Sequence, residues 1–460
     1  MTAYNMTDRN EIKVPRRILS SLLSSISAGV VPRQGAPYIA IGREAETAAL
    51  LSDLEITAEG GSSTRFIIGR YGSGKSFLMQ LVRGYALEKG FLTCDADLSP
   101  ERRLHGSQGS GVATYRELVK NLASRSSPEG GALPKIIAAF LASEGSKLAA
   151  EGVDPASPEY SAMMRSRVFS VIRELEDSVG GFDFAAVMSL YYTAGCEDDE
   201  IKKSAAMRWL RGEYSTKTEA RAALGIPVST VINDDNWYDY IKLMAVFARK
   251  LGYKGLVVFL DECVNLYKIP NRVSRENNYE KLLAMFNDTL GGRAPGLSLI
   301  FGGTPKFLED TRRGLFSYEA LRSRLSDGAF AGGGYTDLIG PVIRLRTLSD
   351  DELLALVTRL TALHGQYYPE AKAVSPEEMV AFLTLEGKRA GADVMMTPRE
   401  VIRDYLNLLN ILMQNPDVSF AEVMGTLPGG EEKKPADTPA AEMSASPAQP
   451  RTINIADIDF

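Results

Sequence analysis

Eight residues between two apolar runs carry the first chemistry legible in this chain. Gly69-Arg70-Tyr71-Gly72-Ser73-Gly74-Lys75-Ser76 has the spacing G-x-x-x-x-G-K-[ST] without a mismatch. Its glycines, Gly69, Gly72 and Gly74, permit backbone angles at which successive N–H groups, that of Ser73 among them, turn inward onto an anion. The Lys75 ammonium has the reach for β- and γ-phosphates, and the Ser76 hydroxyl is a ligand for Mg²⁺. A helix begun by Lys75, with Phe77 in its first turn, turns its positive dipole end to the same phosphates. The chemistry implied is the binding of a nucleotide polyphosphate with Mg²⁺. Hydrolysis needs two further acids, and "LVVFLDE" (residues 256–262) ends in them. Asp261 is suited to hold Mg²⁺ through water, and Glu262 to act as general base on the attacking water. Thr304, at the end of "LSLIFGGT", can sit between the acids and the γ-phosphate and position water. It also fits a helix N-cap, with Pro305 at the first helical position.

These side chains must be delivered to one place, and the flanking patterns say how. Thr64–Ile68 reads as a buried strand and Ser76–Glu88 as a helix. "GFLTCDADLS" is a second strand candidate, ending at Asp95 and Asp97, and "LVVFLDE" brings its acids to the edge of the sheet. In open α/β sheets ligands bind outside the carboxyl ends of the strands. From "YIAIGREAETAALLSDL" onward strands alternate with helices, the signature of a parallel sheet covered by helices. The expected fold class is α/β, a P-loop parallel sheet with a large helical insertion at about 115–251 and a C-terminal helical lid. Residues 1–36 form an N-terminal helical arm, 37–346 the nucleotide-binding domain and 347–427 the lid. Residues 428–460, rich in Pro, Ala, Glu and Ser, are expected to be disordered.

Composition narrows the class. In 460 residues there are three cysteines, without a C-x-x-C pair, and two histidines. A disulfide framework and a multi-histidine metal site are both disfavoured. A net charge of −6 argues against a generally basic nucleic-acid coat, though it leaves room for a local basic face. With no long apolar run and no signal-peptide pattern, the expected location is cytoplasmic, without a membrane partner.

The set of motifs resembles the AAA+ ATPases, with affinity to their origin-recognition and signal-transducing branches. The elements are Gly42-Arg43-Glu44 before the P-loop, the P-loop, the strand ending in Asp261-Glu262, the strand ending in Thr304, "LRSRL" (321–325) and "TPREVIRDYL" (397–406). More narrowly, "GVVP", "IGRE", "RFIIGRYGSGKSFL" and "IFGGTPKFLED", in that order, look like the BREX-type ATP-binding proteins of phage-defence loci, the BrxD-like group. The resemblance spans roughly residues 20–425. It implies that Gly42 and Arg43 sit near the adenine and that Arg399 is a second sensor reaching phosphate from the lid. It also implies that Arg322 or Arg324, with Arg324 preferred, is an arginine finger for a neighbouring subunit. The implied activity is Mg-dependent ATP hydrolysis in a homo-oligomer that remodels a partner or loads it on DNA, the partner being a helicase or another defence protein. A slow nucleotide-gated switch or scaffold is the alternative. Direct contact with double-stranded DNA through "IKKSAAMRWLRGE" and "KTEARAALGIPVSTV" remains open.

Overall fold

The computed structural model describes residues 13–106, 109–157, 159–173, 181–328, 337–390 and 397–425. The first dozen residues of the expected arm and the whole expected disordered tail lie outside the described residues. The chain begins with α1 (Arg16–Ser27) and α2 (Glu44–Ala58), followed by β1 (Ser63–Ile68), α3 (Lys75–Glu88) and β2 (Leu92–Asp97). A helical stretch follows: α4 (Ser110–Lys120), α5 (Leu133–Ala150), α6 (Tyr160–Arg173), α7 (Gly181–Cys196), α8 (Glu200–Leu210), α9 (Lys217–Leu224) and α10 (Trp237–Lys250). Strands resume with β3 (Leu256–Asp261), then α11 (Val264–Tyr267), α12 (Arg272–Leu290), β4 (Leu297–Gly303), α13 (Pro305–Glu309), α14 (Glu319–Leu325) and β5 (Val342–Arg344). Helices α15 (Asp350–Tyr367), α16 (Pro376–Ala390), α17 (Pro398–Gln414) and α18 (Phe420–Gly425) close the described chain.

The strands form one five-stranded parallel sheet in the order β2-β3-β4-β1-β5. Helices cover both faces, so the strands are largely buried, and β3 and β4 read as near-continuous apolar runs rather than alternating ones. Alternate side chains serve different cores. Phe66, Val258 and Phe301 face the insertion helices, packing with Tyr115, Trp209, Trp237 and Phe247. On the other face, Ile67, Val257, Phe259 and Ile300 meet Leu50 and Leu54 of α2 and Leu78 and Val82 of α3. This is an α/β fold of the P-loop type with helical additions. The α4–α10 stretch, lying between β2 and β3, joins the sheet's own core.

A third cluster is entirely helical. Leu19, Leu22 and Ile26 of α1 pack with Leu356 and Leu360 of α15 and with Tyr405 and Leu409 of α17. The amphipathic arm is therefore docked on the C-terminal helices, its apolar stripe buried against theirs. One local reading differs. "YIAI", expected to open the strand–helix alternation, contributes to a 3-10 turn, Ala36–Ile39. Gly35 in the left-handed region and Pro37 near the start of the turn set that geometry, and Ile39 is buried against the α1–α15–α17 cluster instead of pairing with a sheet edge.

Among the described residues no helix is long and apolar enough to cross a membrane. The basic residues of α8 and α9 are largely neutralised by near neighbours. Lys202 pairs with Asp199, Lys203 with Glu200, Arg208 with Glu213 and Glu219, while Arg221 donates to the Val228 carbonyl.

Candidate functional site

Residues 69–74 run from the carboxyl end of β1 into α3. The Gly69 N–H donates to the Gly303 carbonyl at 3.1 Å, which anchors the start of the loop to the end of β4. Gly72 (φ 76°) and Gly74 (φ 91°) lie in the left-handed region that other residues resist. A side chain at Gly72 would also strike Thr397 at 2.7 Å, so the loop lies directly against the N-terminus of α17. The Lys75 ammonium donates to the Gly69 and Arg70 carbonyls at 3.1 and 3.0 Å and lies 5.5 Å from the centre of the Tyr71 ring.

Strand β3 brings the acids to the same edge. Ser76 Oγ donates to Asp261 Oδ2 at 2.6 Å, and the Glu262 N–H donates to Asp261 Oδ1 at 2.7 Å. Glu262 itself sits at φ 55°, an uncommon backbone state for a glutamate and a form of strain that clusters at functional sites. Strand β4 makes this possible by being small. Gly302 lies so close to Asp261 Oδ1 that a side chain there would displace the carboxylate.

The electrostatics are those of a site built for a charged guest. Burial holds the Lys75 pKa below its usual value, opposed by Asp261 and Glu262. Burial raises Glu262, and the Asp261 charge adds to the effect. Asp97, at the end of β2, is raised by burial first and then by Asp261 and Asp95. Acids crowded in this way are relieved by a cation among them. Among the described residues no group of three or more His, Cys, Asp or Glu is placed to hold a metal alone. A hydroxyl and a carboxylate 2.6 Å apart instead fit Mg²⁺, which commonly takes one or two protein oxygens and draws the rest from water and phosphate. Ser73 Oγ, buried and without a hydrogen-bond partner among the described residues, is a polar atom free for a ligand.

Beside these groups lies a cleft of about 530 Å³ between the sheet edge and the α1–α15–α17 cluster. Its wall includes Gly72, Ser73, Gly74, Lys75, Ser76, Phe77, Asp261 and Glu262, with Arg43 and Arg399. Ile26, Val30, Ile41, Leu348 and Ile402 give it an apolar side suited to a planar base. The far end holds the Arg83–Asp95 ion pair (3.2 Å). Asp97, Tyr71 and the apolar wall were not assigned roles by sequence reasoning. Asp97 ends an acidic strand and was visible as such; the wall comes from segments far apart in the chain and carries no local signal.

Not every expected residue is free to meet a ligand. Gly42 is one residue behind the wall, while Arg43 is 4% exposed and spends its donors on protein acceptors. Arg399 reaches Gly29, donating to its carbonyl at 2.6 Å. Thr304 is buried at the N-cap of α13, where its Oγ1 accepts from the Phe307 N–H at 3.3 Å. Arg322 and Arg324 are exposed on α14 and do not line the cleft; Arg324 donates to Asn287 Oδ1 and to the Ala320 carbonyl.

The family model for BREX system ATP-binding protein BrxC/D matches residues 14–427. The chain belongs to that family. No curated protein matches it. As a BrxC/D protein it is an ATP-binding protein of a phage-defence system, and the cleft beside Lys75 is the candidate for its nucleotide. Membership of such a system implies partners among its other components.

Proposed function

We propose that this BrxC/D protein binds Mg·ATP in the cleft, hydrolyses it, and uses the cycle to remodel a partner or load it on DNA during phage defence. The observation that carries the reading is the joining of Ser76 to Asp261 at 2.6 Å, with Lys75 on one side and the backbone-strained Glu262 on the other. The loop amides, Ser73 and Lys75 receive the phosphates. Ser76 and Asp261 hold Mg²⁺, which shields the phosphate charge when bound. Glu262 takes a proton from the attacking water, and Thr304 helps to position that water. Gly42, Arg43 and Phe77 frame the nucleotide from the side of α1 and α2. Arg399 leaves Gly29 for phosphate when the α15–α18 lid closes.

Arg324, or its neighbour Arg322, acts across an interface between copies, because an always-charged guanidinium neutralises charge developing on the phosphoryl group. A homo-oligomer in the cytoplasm, acting with a helicase or another defence protein, is the working form. A slow nucleotide-gated switch is the second reading, and the exposed position of Arg322 and Arg324 away from the cleft favours it for an isolated copy. ATPase rate against protein concentration, with and without double-stranded DNA, separates the two. Turnover per chain that rises with concentration and with DNA supports the motor or loader, and near-zero turnover throughout supports the switch.

A further inference from the structure

Behind the phosphate loop runs a chain of contacts that the binding chemistry does not use. Arg43 Nη2 donates to the Ser73 carbonyl at 3.1 Å and to the Arg346 carbonyl at 2.8 Å, while Nη1 reaches Glu46 Oε1 at 3.3 Å. Arg346 lies between β5 and α15, and its guanidinium grips both carboxylate oxygens of Glu352, one of them at 2.6 Å. Glu352 also accepts from the Ser349 N–H at 2.8 Å, closing the capping box at the start of α15. Arg346 holds the Glu352 carboxyl down at about 2, so the pair stays ionised across the working pH range. Gly42 completes the fit, since a side chain there would meet Glu352 Oε1 at 2.6 Å and Leu348 at 2.9 Å.

We propose that Arg43, Arg346 and Glu352 form a positioning relay that ties the orientation of one phosphate-loop peptide to the first turn of α15. The reason lies in peptide planarity. In a trans peptide the C=O of one residue and the N–H of the next point in opposite directions. By holding the Ser73 carbonyl, Arg43 fixes the Gly74 N–H toward the other side, away from its own guanidinium. Filling the loop with phosphate loads that peptide, and the load passes through Arg43 to Arg346 and from there to Glu352. The first turn of α15 thereby senses occupancy without itself touching phosphate. Arg43 borders the cleft but gives its donors to protein acceptors, so toward the phosphate loop it is a positioning residue.

This inference rests on the nucleotide site proposed above, and hydrogen exchange on the full chain, with and without Mg·ATP, tests the two separately. In the wild type, ATP should slow exchange both in residues 69–76 and at the start of α15. Glu352→Gln keeps the capping box, which accepts Glu or Gln, but loses the charged grip on Arg346. There the phosphate loop should still be protected while protection of α15 is lost, with ATP binding roughly threefold weaker, as expected for a partly exposed pair. Arg346→Ala leaves the cap untouched and should behave alike, whereas Arg346→Lys should restore part of the coupling. Equal melting temperatures of the variants without nucleotide would separate coupling from simple destabilisation. Protection of α15 in both Glu352→Gln and Arg346→Ala that matches the wild type would overturn the relay. Absence of ATP-dependent protection at 69–76 in the wild type would instead overturn the site itself.

Discussion

Lys75 and Glu262 divide binding from chemistry. Lys75→Ala removes the cation proposed to meet the β- and γ-phosphates, so it should lose tight ATP binding. At ~100 times its dissociation constant, ATP should stabilise the wild type by about 2.7 kcal/mol. A thermal shift of the same size in Lys75→Ala would place the nucleotide elsewhere. For Glu262 the raised pKa makes a signed prediction. A general base works only when deprotonated, so turnover should fall as pH drops through the Glu262 pKa. Because the folded-state pKa is raised, the ionised carboxylate costs stability, a penalty that sets in as pH rises from the ordinary range through the raised value. Glu262→Gln should therefore melt no lower than the wild type at neutral pH; a clear drop would mean that the carboxylate is structural.

At the scale of elements, β4 matters for what it lacks. Gly302 is extended backbone with no conformational need for glycine, yet a methyl there would push Asp261 away from Ser76. Gly302→Ala should keep nucleotide binding and lose turnover on the order of a hundredfold, the cost of misplacing a catalytic group by about an ångström. Turnover near the wild-type rate would show that Asp261 has room to move. The sequence showed "IFGGT" as a strand ending in small residues, but not why, because the reason is a contact between β4 and β3. The P-loop, its strand and helix, and the acidic end of β3 were legible since each is written in consecutive residues. "YIAI" (38–41) reads from sequence as the opening of the strand–helix alternation because its apolar pattern is equally satisfied by helical neighbours distant in sequence, against which Ile39 is buried. Arg346 and Glu352 were assigned no role from the sequence, because their link through Arg43 to Ser73 spans some 300 residues and has no local signature.

For the whole molecule, the question is where the cleft ends and a neighbour begins. The described chain brings a candidate phosphate cradle, a candidate Mg²⁺ pair and a candidate general base to one sheet edge, and leaves Arg322 and Arg324 on the surface. If Arg324 completes a neighbour's site, Arg324→Ala should bind ATP as the wild type does and hydrolyse it poorly. Mixing it with Lys75→Ala should then restore part of the activity, each copy supplying what the other lacks. Additive, unrestored rates at every ratio, in mixtures shown by light scattering to co-assemble, would make the site self-contained.

The central claim is that this cleft binds ATP and that Glu262 converts it. The most direct measurement is to load wild type and Glu262→Gln with Mg·ATP, remove free nucleotide rapidly, and identify what remains bound. The account predicts ADP on the wild type and intact ATP on Glu262→Gln, at comparable occupancy. ADP on both would remove Glu262 from the mechanism, and no nucleotide on either would contradict the assignment of the site.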